Sequence, residues 1–261
     1  MKFYSLCSSS KGNCTYLGDG NHGILIDAGF GIRNYTNSMR LAGLNPDGIQ
    51  AIFITHEHSD HISGLRKLTE KYQVPVYGSK GTLIELLKKE VVSPTTKLYE
   101  INHRAVQIGD WEIRAYHTSH DSAESLGYTV SNQQKKVALC TDLGYVSEEV
   151  QQQLQGSDFV LLESNYDVHM LFTGGYPPFL KERIFSKKGH LSNEDCAEQL
   201  KWLIQQGTSR FLLGHLSKEN NLPQIALEHS VSYLQQNQMM IEQDYQLEVA
   251  PERNPGKVIE V

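Results

Sequence analysis

Apolar residues fall into short runs along this chain, separated by polar or glycine-containing stretches. The runs are rich in β-branched and aromatic residues, which is typical of β-strands. They read KFYSL, CTYLG, GILIDAG, AIFITH, VPVYG, WEIRAYH, LGYTVS, KVALCTD, FVLLES and RFLLGH. Between several of them the apolar positions follow the helical period instead. A chain that alternates strands with helices in this way predicts an α/β fold.

Helices are predicted at three places. After Ser59 and Asp60, apolar residues at positions 62, 65, 68 and 72 share one helical face. SNED at 192–195 has the form of a capping box, so a helix is expected to begin there. Pro223 suits the first turn of a last helix. The stretch 164–189, which contains TGGYPP, has weak periodicity, and its role stays open.

Several predicted strands end in, or shortly before, a residue that can bind a metal or carry a proton. These residues are Asp27, His56, His120, Asp142, Glu163 and His215. A sheet scaffold can deliver such side chains from distant parts of a sequence to one place. We therefore expect one site, assembled from the ends of these strands.

The length and net charge of the chain exclude few classes of function. Its 261 residues suit one domain spanning 1–261. The formal net charge of −6 argues against a protein that holds nucleic acid by bulk charge alone. Two bound divalent cations would add four positive charges and bring the net charge to −2. A phosphate-containing substrate is therefore compatible with the composition.

No stretch predicts export or membrane insertion. The apolar part of MKFYSLCSSS is too short for a lipoprotein signal, and no run approaches the roughly 18 residues of a spanning helix. We expect a cytoplasmic protein with no membrane partner. The four cysteines, at positions 7, 14, 140 and 196, lack zinc-finger spacing and are expected to be reduced and mostly buried.

The segment THEHSDH, at positions 55–61, carries the densest set of metal-binding groups. His56 and His58 are two residues apart at a strand end, so their rings can point the same way. Asp60 and His61 begin the following helix and can turn toward a second position. Histidine with carboxylate suits zinc, or manganese and iron when more oxygen ligands join. A polar surface turn is a poor alternative, because such turns favour Gly, Asn and Ser over repeated His.

Further ligands must come from elsewhere in the chain. His117 and His120 in HTSHDSAESLGY are both candidates, and strand alternation alone does not separate them. Asp142 could bridge two cations, and His215 follows another strand. Taken singly, each has an ordinary alternative, such as a buried His that satisfies the backbone or an Asp that caps a turn. The histidines at positions 22, 103 and 229 are expected at the surface, and position 169 is left open.

The order LIDAG, THEHSDH, SHD, TDLG and GHLS resembles the metallo-β-lactamase superfamily, from the N-terminus to about residue 221. The resemblance implies an αββα sandwich with a two-metal site at one edge. It favours His120 over His117 and implies that Asp27 braces the metal-binding loop. The implied ligands are His56, His58 and His120 for one ion, Asp60, His61 and His215 for the other, and Asp142 as the bridge.

Two further segments narrow the resemblance within the superfamily. LLESNYD at 161–167 and KKGHLSNEDCA at 187–197 resemble the Glu and His pairing of the phosphodiesterase branch. CSSSKGNC, NYD, YPPFLKERI and GHLSN are similar to the YycJ/WalJ group, cytoplasmic proteins regarded as DNA exonucleases. The β-lactamases themselves often have Cys where this chain has Asp142. Flavodiiron proteins have a carboxylate where this chain has His58, which counts against redox chemistry.

The expected function is hydrolysis of phosphodiester bonds in nucleic acid, with DNA favoured over RNA, by an enzyme with two divalent ions. Zinc or manganese is expected, with iron as a further candidate. Two such ions can polarise a phosphoryl oxygen and supply hydroxide for in-line attack. His190 is the expected general acid or phosphate contact, and Glu163 is expected to orient it. Asp60 could accept or orient the proton of the attacking water.

Local charge fits a polyanionic substrate. The segment 181–190 carries four basic residues against one acidic residue, and Lys187 and Lys188 are expected to contact substrate. A solvated helix face would look similar. The turn containing Ser9 and Asn13 could also bind phosphate, although a plain hairpin turn is equally consistent. The resemblance leaves a homo-oligomer open.

Two other functions compete with the nuclease. A thioester or other small-molecule hydrolase would share HxHxDH but would not explain the pairing of Glu163 with His190. For His190 the ordinary alternative is a residue at the entry to a helix with no catalytic task. A regulatory adaptor could keep metal only for folding, but the number of candidate ligands exceeds what structural support requires.

Overall fold

The computed structural model of the protein describes residues 1–102 and 104–261, so the surface prediction for position 103 lies outside the described residues. The strands in chain order are β1 Lys2–Ser9, β2 Gly12–Gly18, β3 Gly23–Ile26, β4 Ile49–Phe53, β5 Val76–Gly78, β6 Leu98–Glu100, β7 Val106–Ile108, β8 Trp111–His117, β9 Leu126–Ser131, β10 Lys136–Cys140, β11 Phe159–Glu163, β12 Arg210–Gly214, β13 Gln246–Val249 and β14 Ile259–Glu260. The helices are α1 Ile32–Leu41, α2 Ser59–Ile62, α3 Leu65–Tyr72, α4 Lys80–Lys88, α5 Glu148–Leu154, α6 Val168–Thr173, α7 Pro178–Phe185, α8 Asn193–Gln205 and α9 Pro223–Gln236.

The described residues form two compact units. The first unit comprises Met1–Ala115, Ser122–Leu126 and Pro251–Val261, and the second comprises Tyr116–Asp121 and Gly127–Ala250. The assignment of 1–261 to one domain stays a prediction. No helix among the described residues has the length and apolar character needed to cross a membrane.

The first unit contains a seven-stranded sheet in the order β14-β1-β2-β3-β4-β5-β6. Strands β1 to β3 are antiparallel neighbours, whereas β3 to β6 run parallel. Parallel strands end at the same edge of a sheet, so the residues that follow β3 and β4 are brought side by side. The apolar core of this unit includes Tyr35, Ile52 and Leu65, all fully buried.

The helix predicted after Ser59 is split into α2 and α3 at Gly64. Gly64 donates its N–H to the carbonyl oxygen of Ala28 (2.8 Å), and a Cβ at this position would overlap the carbonyl oxygen of Phe30. The backbone therefore approaches the loop after β3 more closely than any side chain permits. That approach uses the N–H of Gly64 outside the helix, which explains the interruption.

The second sheet also has seven strands, in the order β13-β12-β11-β10-β9-β8-β7. Strands β10 to β13 are parallel neighbours in the second unit. All ten strand runs predicted from the sequence are confirmed as β1 to β5 and β8 to β12. Strands β6, β7, β13 and β14 were not predicted, because segments of only two to four residues show little periodicity.

The helices of the second unit confirm two predictions and include three elements, α5, α6 and α7, that were not predicted. Ser192 caps α8 by accepting the N–H of Asp195 (3.0 Å), and Pro223 starts α9. The stretch 164–189, for which no element was predicted, holds the short helices α6 and α7. All four cysteines are buried, as predicted.

Candidate active site

In the first unit, Asp27 and Thr55 join the ends of the neighbouring strands β3 and β4. The N–H of Asp27 donates to the carbonyl oxygen of Phe53 (2.8 Å). The N–H of Thr55 donates to Asp27 Oδ1 (2.8 Å), and its hydroxyl lies 3.0 Å from both carboxylate oxygens. Asp27 is only 3% exposed, so this carboxylate fixes the start of the THEHSDH segment from inside the protein.

The same network sets the tautomers of two histidines. His61 Nδ1 lies 2.8 Å from Asp27 Oδ2, and His56 Nδ1 lies 3.0 Å from Thr55 Oγ1. The Asp27 carboxylate can only accept, and the single hydroxyl proton of Thr55 is directed to Asp27. Both imidazoles must therefore carry hydrogen on Nδ1. In this tautomer the lone pair lies on Nε2, which is the form in which histidine binds a metal.

The four candidate ligands of THEHSDH converge. The ring centroid of His56 lies 4.5 Å from that of His58 and 4.1 Å from that of His61. Asp60 Oδ2 lies 3.3 Å from His61 Nε2. His56 and His61 are fully buried, whereas His58 and Asp60 are partly exposed. Imidazole nitrogens and a carboxylate at this spacing fit a zinc or manganese ion in chemical type.

Ser9 and Asn13, predicted as phosphate contacts, lie against this group and are both buried. Asn13 Nδ2 lies 3.3 Å from Asp60 Oδ2 and 3.1 Å from His61 Nε2, and Asn13 Oδ1 accepts the N–H of Ser9 (3.2 Å). A Cβ on Gly29 would overlap the carbonyl oxygen of Asp60, so the approach requires glycine. The amide of Asn13 thus positions Asp60 and His61.

In the second unit, three adjacent parallel strands deliver Asp142, Glu163 and His215. Glu163 is the last residue of β11 and is in register with Gly214, which directly precedes His215. Asp142 follows β10, the neighbour of β11 on its other side. Carboxyl ends of adjacent parallel strands are where α/β sheets place ligand sites. The prediction of functional groups at strand ends matches this arrangement.

Glu163 is fully buried and orients two histidines. Its Oε1 lies 2.9 Å from His190 Nδ1 and 2.6 Å from His215 Nδ1. Burial raises the pKa of the carboxyl, but the charges and hydrogen bonds of His190 and His215 outweigh burial and lower the pKa to about 2. The ionised carboxylate accepts from both rings, so each ring keeps its Nε2 directed to other partners.

The two oxygens of Glu163 are fully used. Oε1 accepts from His190 and His215, and Oε2 accepts the backbone N–H groups of Leu143 and Leu191, each at 3.1 Å. A carboxylate offers about four acceptor positions. One ligand atom from each of Asp142, Glu163, His190 and His215 lies within 4.8 Å of the others, so distance alone would admit Glu163 as a ligand. The four donors instead make it an orienting group.

His120 belongs to the same group, whereas His117 does not. His120 Nδ1 lies 3.0 Å from the carbonyl oxygen of Gly189, to which it donates, and its Nε2 lies 3.6 Å from Asp142 Oδ1. Asp142 Oδ1 also lies 3.6 Å from His215 Nδ1. His120 is buried, and His117 is exposed. The geometry within this unit therefore separates two histidines that strand alternation could not.

Three buried site residues have left-handed backbone conformations. The φ angles are 61° at Asp27, 59° at Asp142 and 55° at His215. The other non-glycine residues with positive φ among those described, Gln73, Glu90, Gln238 and Glu242, are all exposed. Such backbone is disfavoured for residues with a Cβ and tends to be kept where function requires it. The sequence gives no signal for this feature.

The basic residues before His190 are only partly available. Lys187 and Lys188 are exposed, as a substrate contact requires. Arg183 instead forms an ion pair with Asp121, with Nη2 3.0 Å from Oδ1. Lys181 donates to the carbonyl oxygen of Phe172 (2.8 Å).

Comparison with known proteins identifies the family. The protein-family model described as the β-lactamase superfamily domain matches residues 22–216 of this chain. Exodeoxyribonuclease YycJ of Bacillus anthracis is 34% identical over 259 residues, which cover 99% of this chain and 98% of that protein. The chain belongs to the metallo-β-lactamase superfamily. The predicted resemblance to the exonuclease group is confirmed, and the chain is a metal-dependent hydrolase.

One solved structure and one shorter sequence match extend the comparison. The metallo-β-lactamase fold protein YhfI from Bacillus subtilis has a TM-score of 0.73 at 17% identity, covering 99% of this chain and 98% of that one. The predicted fold class is thereby confirmed. A shorter match is ribonuclease J 1 of Streptococcus pyogenes serotype M3, 29% identical over 37% of this chain and 18% of that protein.

Two residues that hold the superfamily's ligand segments in place were not predicted. Thr55 connects Asp27 with His56, and Asn165 Nδ2 donates to the carbonyl oxygen of His215 (2.7 Å). Thr55 directly precedes the predicted His56, and Asn165, in NYD, lies two residues after the predicted Glu163. Only this closeness in sequence could have identified the two residues, because a polar residue beside a predicted ligand has no distinctive spacing of its own.

Proposed function

We propose that this protein is a dinuclear-metal-dependent phosphodiesterase that acts as an exonuclease, with DNA favoured over RNA. The observation that carries the proposal is the hydrogen bond between Glu163 and His190. A hydrolase that acts on thioesters has less need for a proton donor, because a thiolate leaves readily, whereas a departing alkoxide requires protonation.

The proposed metal ligands are those implied by the family resemblance. His56, His58 and His120 would hold one ion, Asp60, His61 and His215 the other, and Asp142 would bridge them. The ions would be zinc or manganese, with iron as a further candidate. When bound, they supply Lewis-acid polarisation of the phosphodiester and a nucleophile at neutral pH. Nδ1 of His56, His61 and His215 is engaged by Thr55, Asp27 and Glu163, so Nε2 of each ring is the nitrogen that would bind the ion.

His190 is proposed to protonate the leaving oxygen through Nε2. Its Nδ1 is held by the buried Glu163 carboxylate, which prevents the ring from turning and keeps Nε2 directed away from Glu163. His190 is partly exposed, with 16% of its side chain accessible, so a substrate can reach it. Asp60 is proposed to accept or orient the proton of the attacking water, and Asn13 keeps its carboxylate in place.

The choice of DNA is supported by the relatives. Exodeoxyribonuclease YycJ matches 99% of this chain, whereas the match to ribonuclease J 1 covers 37% of it. Lys187 and Lys188 are proposed to contact the phosphates of the substrate. Cytoplasmic location and homo-oligomer formation stay predictions.

The proposal is tested with end-labelled single- and double-stranded DNA and RNA, incubated with protein loaded separately with zinc or manganese. Stepwise shortening from one end of DNA is the expected result. A matched panel of thioesters and lactones tests the rival small-molecule hydrolase. Turnover of a thioester with no cleavage of any nucleic acid would replace the proposal, and inactivity on both panels would favour the regulatory adaptor.

A further inference from the structure

Helices α6 and α7 present three phenylalanines to solvent. The exposed fractions are 49% for Phe172, 71% for Phe179 and 56% for Phe185. We call these three residues the phenylalanine surface. The rings of Phe172 and Phe185 meet edge to face, with centroids 5.3 Å apart. Phe172 and Phe185 thus form one exposed aromatic patch, and Phe179 adds a third exposed ring on α7; exposed aromatic patches mark ligand sites.

The folding of this segment does not require those three rings. Helices α6 and α7 have their own apolar cluster, in which Leu171, Ile184 and Tyr166 are buried and Val168, Tyr176 and Leu180 pack around them. The phenylalanine surface lies on the residues left outside that cluster. Its side chains are therefore free to serve binding.

The charge around the phenylalanine surface is positive in a protein that is negative overall. The segment 181–190 has a formal charge of +3, which the ion pair of Arg183 with Asp121 reduces to +2, whereas the whole chain has −6. Among the described residues, no ion pair is recorded for Lys187 or Lys188, and both are exposed. Proteins that bind single-stranded nucleic acid commonly combine aromatic rings with cations, because the bases stack on the rings while the phosphates contact the cations.

Backbone hydrogen bonds connect the end of α7, where Phe185 lies, to His190. The N–H of His190 donates to the carbonyl oxygen of Ile184 (3.0 Å), and the N–H of Gly189 donates to that of Ser186 (2.8 Å). A Cβ on Gly189 would overlap the Ile184 oxygen, so glycine is required for this close turn. Phe185 thus stands at a fixed backbone distance from the proposed proton donor.

We propose that the phenylalanine surface binds a single-stranded polynucleotide and holds the part of the strand on the leaving side of the cleaved bond. This inference rests on the proposed function, because His190 defines the leaving side. In a duplex the bases are stacked on each other and are not available to the rings. A second copy of this chain is a weaker candidate, because a two-fold interface would bring the same lysines together.

The test compares the metal-loaded wild type with Phe172→Ala, Phe179→Ala, Phe185→Ala and the triple variant. The KM for a long single-stranded oligonucleotide should rise roughly 5- to 100-fold for the most important ring, and more for the triple variant. The KM for a nitrophenyl phosphodiester should rise far less. Phe→Trp at the same positions should retain tight binding. Leu41→Ala, which removes a 67% exposed side chain in the first unit, is the matched control and should leave both constants unchanged.

Equal KM values for wild type and triple variant on single strands would overturn the inference. So would a wild-type dimer that becomes monomeric in the triple variant with unchanged strand binding, since the surface would then be a self-association face. If the wild type cleaves no nucleic acid, the proposed function fails separately. Fluorescence anisotropy with labelled oligothymidine then decides about the surface: weaker binding by the triple variant supports it, and equal binding overturns it.

Discussion

Glu163 and His190 are joined by a hydrogen bond of 2.9 Å between a buried carboxylate oxygen and Nδ1 of a partly exposed ring. The same carboxylate oxygen lies 2.6 Å from Nδ1 of His215. One acidic side chain therefore sets the orientation of a proposed proton donor and of a proposed metal ligand. A substitution of Glu163 is therefore expected to affect both histidines, whereas a substitution of His190 alone tests the proton donor separately from the metal ligand.

His190→Ala should keep its metal content and fold, because His190 is assigned no metal bond. Its turnover on nucleic acid should fall on the order of 10²–10⁴-fold, the usual contribution of a positioned proton donor. The loss should shrink on a nitrophenyl phosphodiester, whose leaving group departs without protonation. Metal analysis and the two rate assays provide the measurement. Parent rates on both substrates would mean that His190 takes no part in the chemistry and only precedes the cap of α8.

Glu163→Gln should affect both functions. An amide in place of the carboxylate keeps the size but loses the charge and one acceptor, so the hydrogen bonds that orient the rings of His190 and His215 are both weakened. We expect a smaller loss of turnover than in His190→Ala, together with a loss of metal affinity of roughly 10- to 100-fold. Competition with a chelator measures the second effect. Unchanged affinity would show that Glu163 serves His190 alone.

Asp142→Ala should lose both metal and activity. The purified wild type should contain close to two ions per chain, and a bridging ligand serves both. Elemental analysis of wild type and variant, prepared side by side, gives the ratio. Lys188→Ala, which removes an exposed cation, is the control and should retain its ions. Full occupancy in Asp142→Ala would exclude the bridging assignment.

Much of the fold could be predicted because the apolar runs are long enough to show their period. β11 and β12 are apolar-rich strands of five residues; Glu163 is the last residue of β11 and His215 directly follows β12, which made both residues predictable. The split at Gly64 could not be predicted, because it depends on the approach of Ala28, which is distant in sequence. Helices α6 and α7 were missed because six and eight residues around TGGYPP show too little period.

The residue types of the candidate site could be predicted, but the hydrogen bonds that hold those residues in place could not. HxHxDH and the strand-end residues have distinctive chemistry, whereas Thr55 and Asn13 act through hydrogen bonds that no spacing reveals. The saturation of Glu163 by four donors also depends on two backbone N–H groups, those of Leu143 and Leu191. Such groups are supplied by the fold and carry no mark in the sequence.

The native thiols should react slowly with a thiol reagent. Burial raises the pKa of Cys7 and of Cys140 to about 12, so little thiolate is present at pH 8. Reaction of native protein with a disulfide reagent should be roughly a hundredfold slower than that of denatured protein, in which all four cysteines become available. The absorbance of the released thiol measures both rates. A fast thiol in the native protein would show that a cysteine is exposed.

The left-handed backbone at Asp142 and His215 should invert the usual order of alanine and glycine. A Cβ disfavours φ near 59° or 55°, whereas glycine accepts it. In metal-free protein, Asp142→Gly and His215→Gly should therefore be more stable than the corresponding alanine variants by about 1 kcal/mol. Gln152, exposed in α5, is the matched control, where glycine should be less stable than alanine by a similar amount. Urea unfolding of the three pairs gives the difference, and the same order at all three positions would contradict the strained backbone.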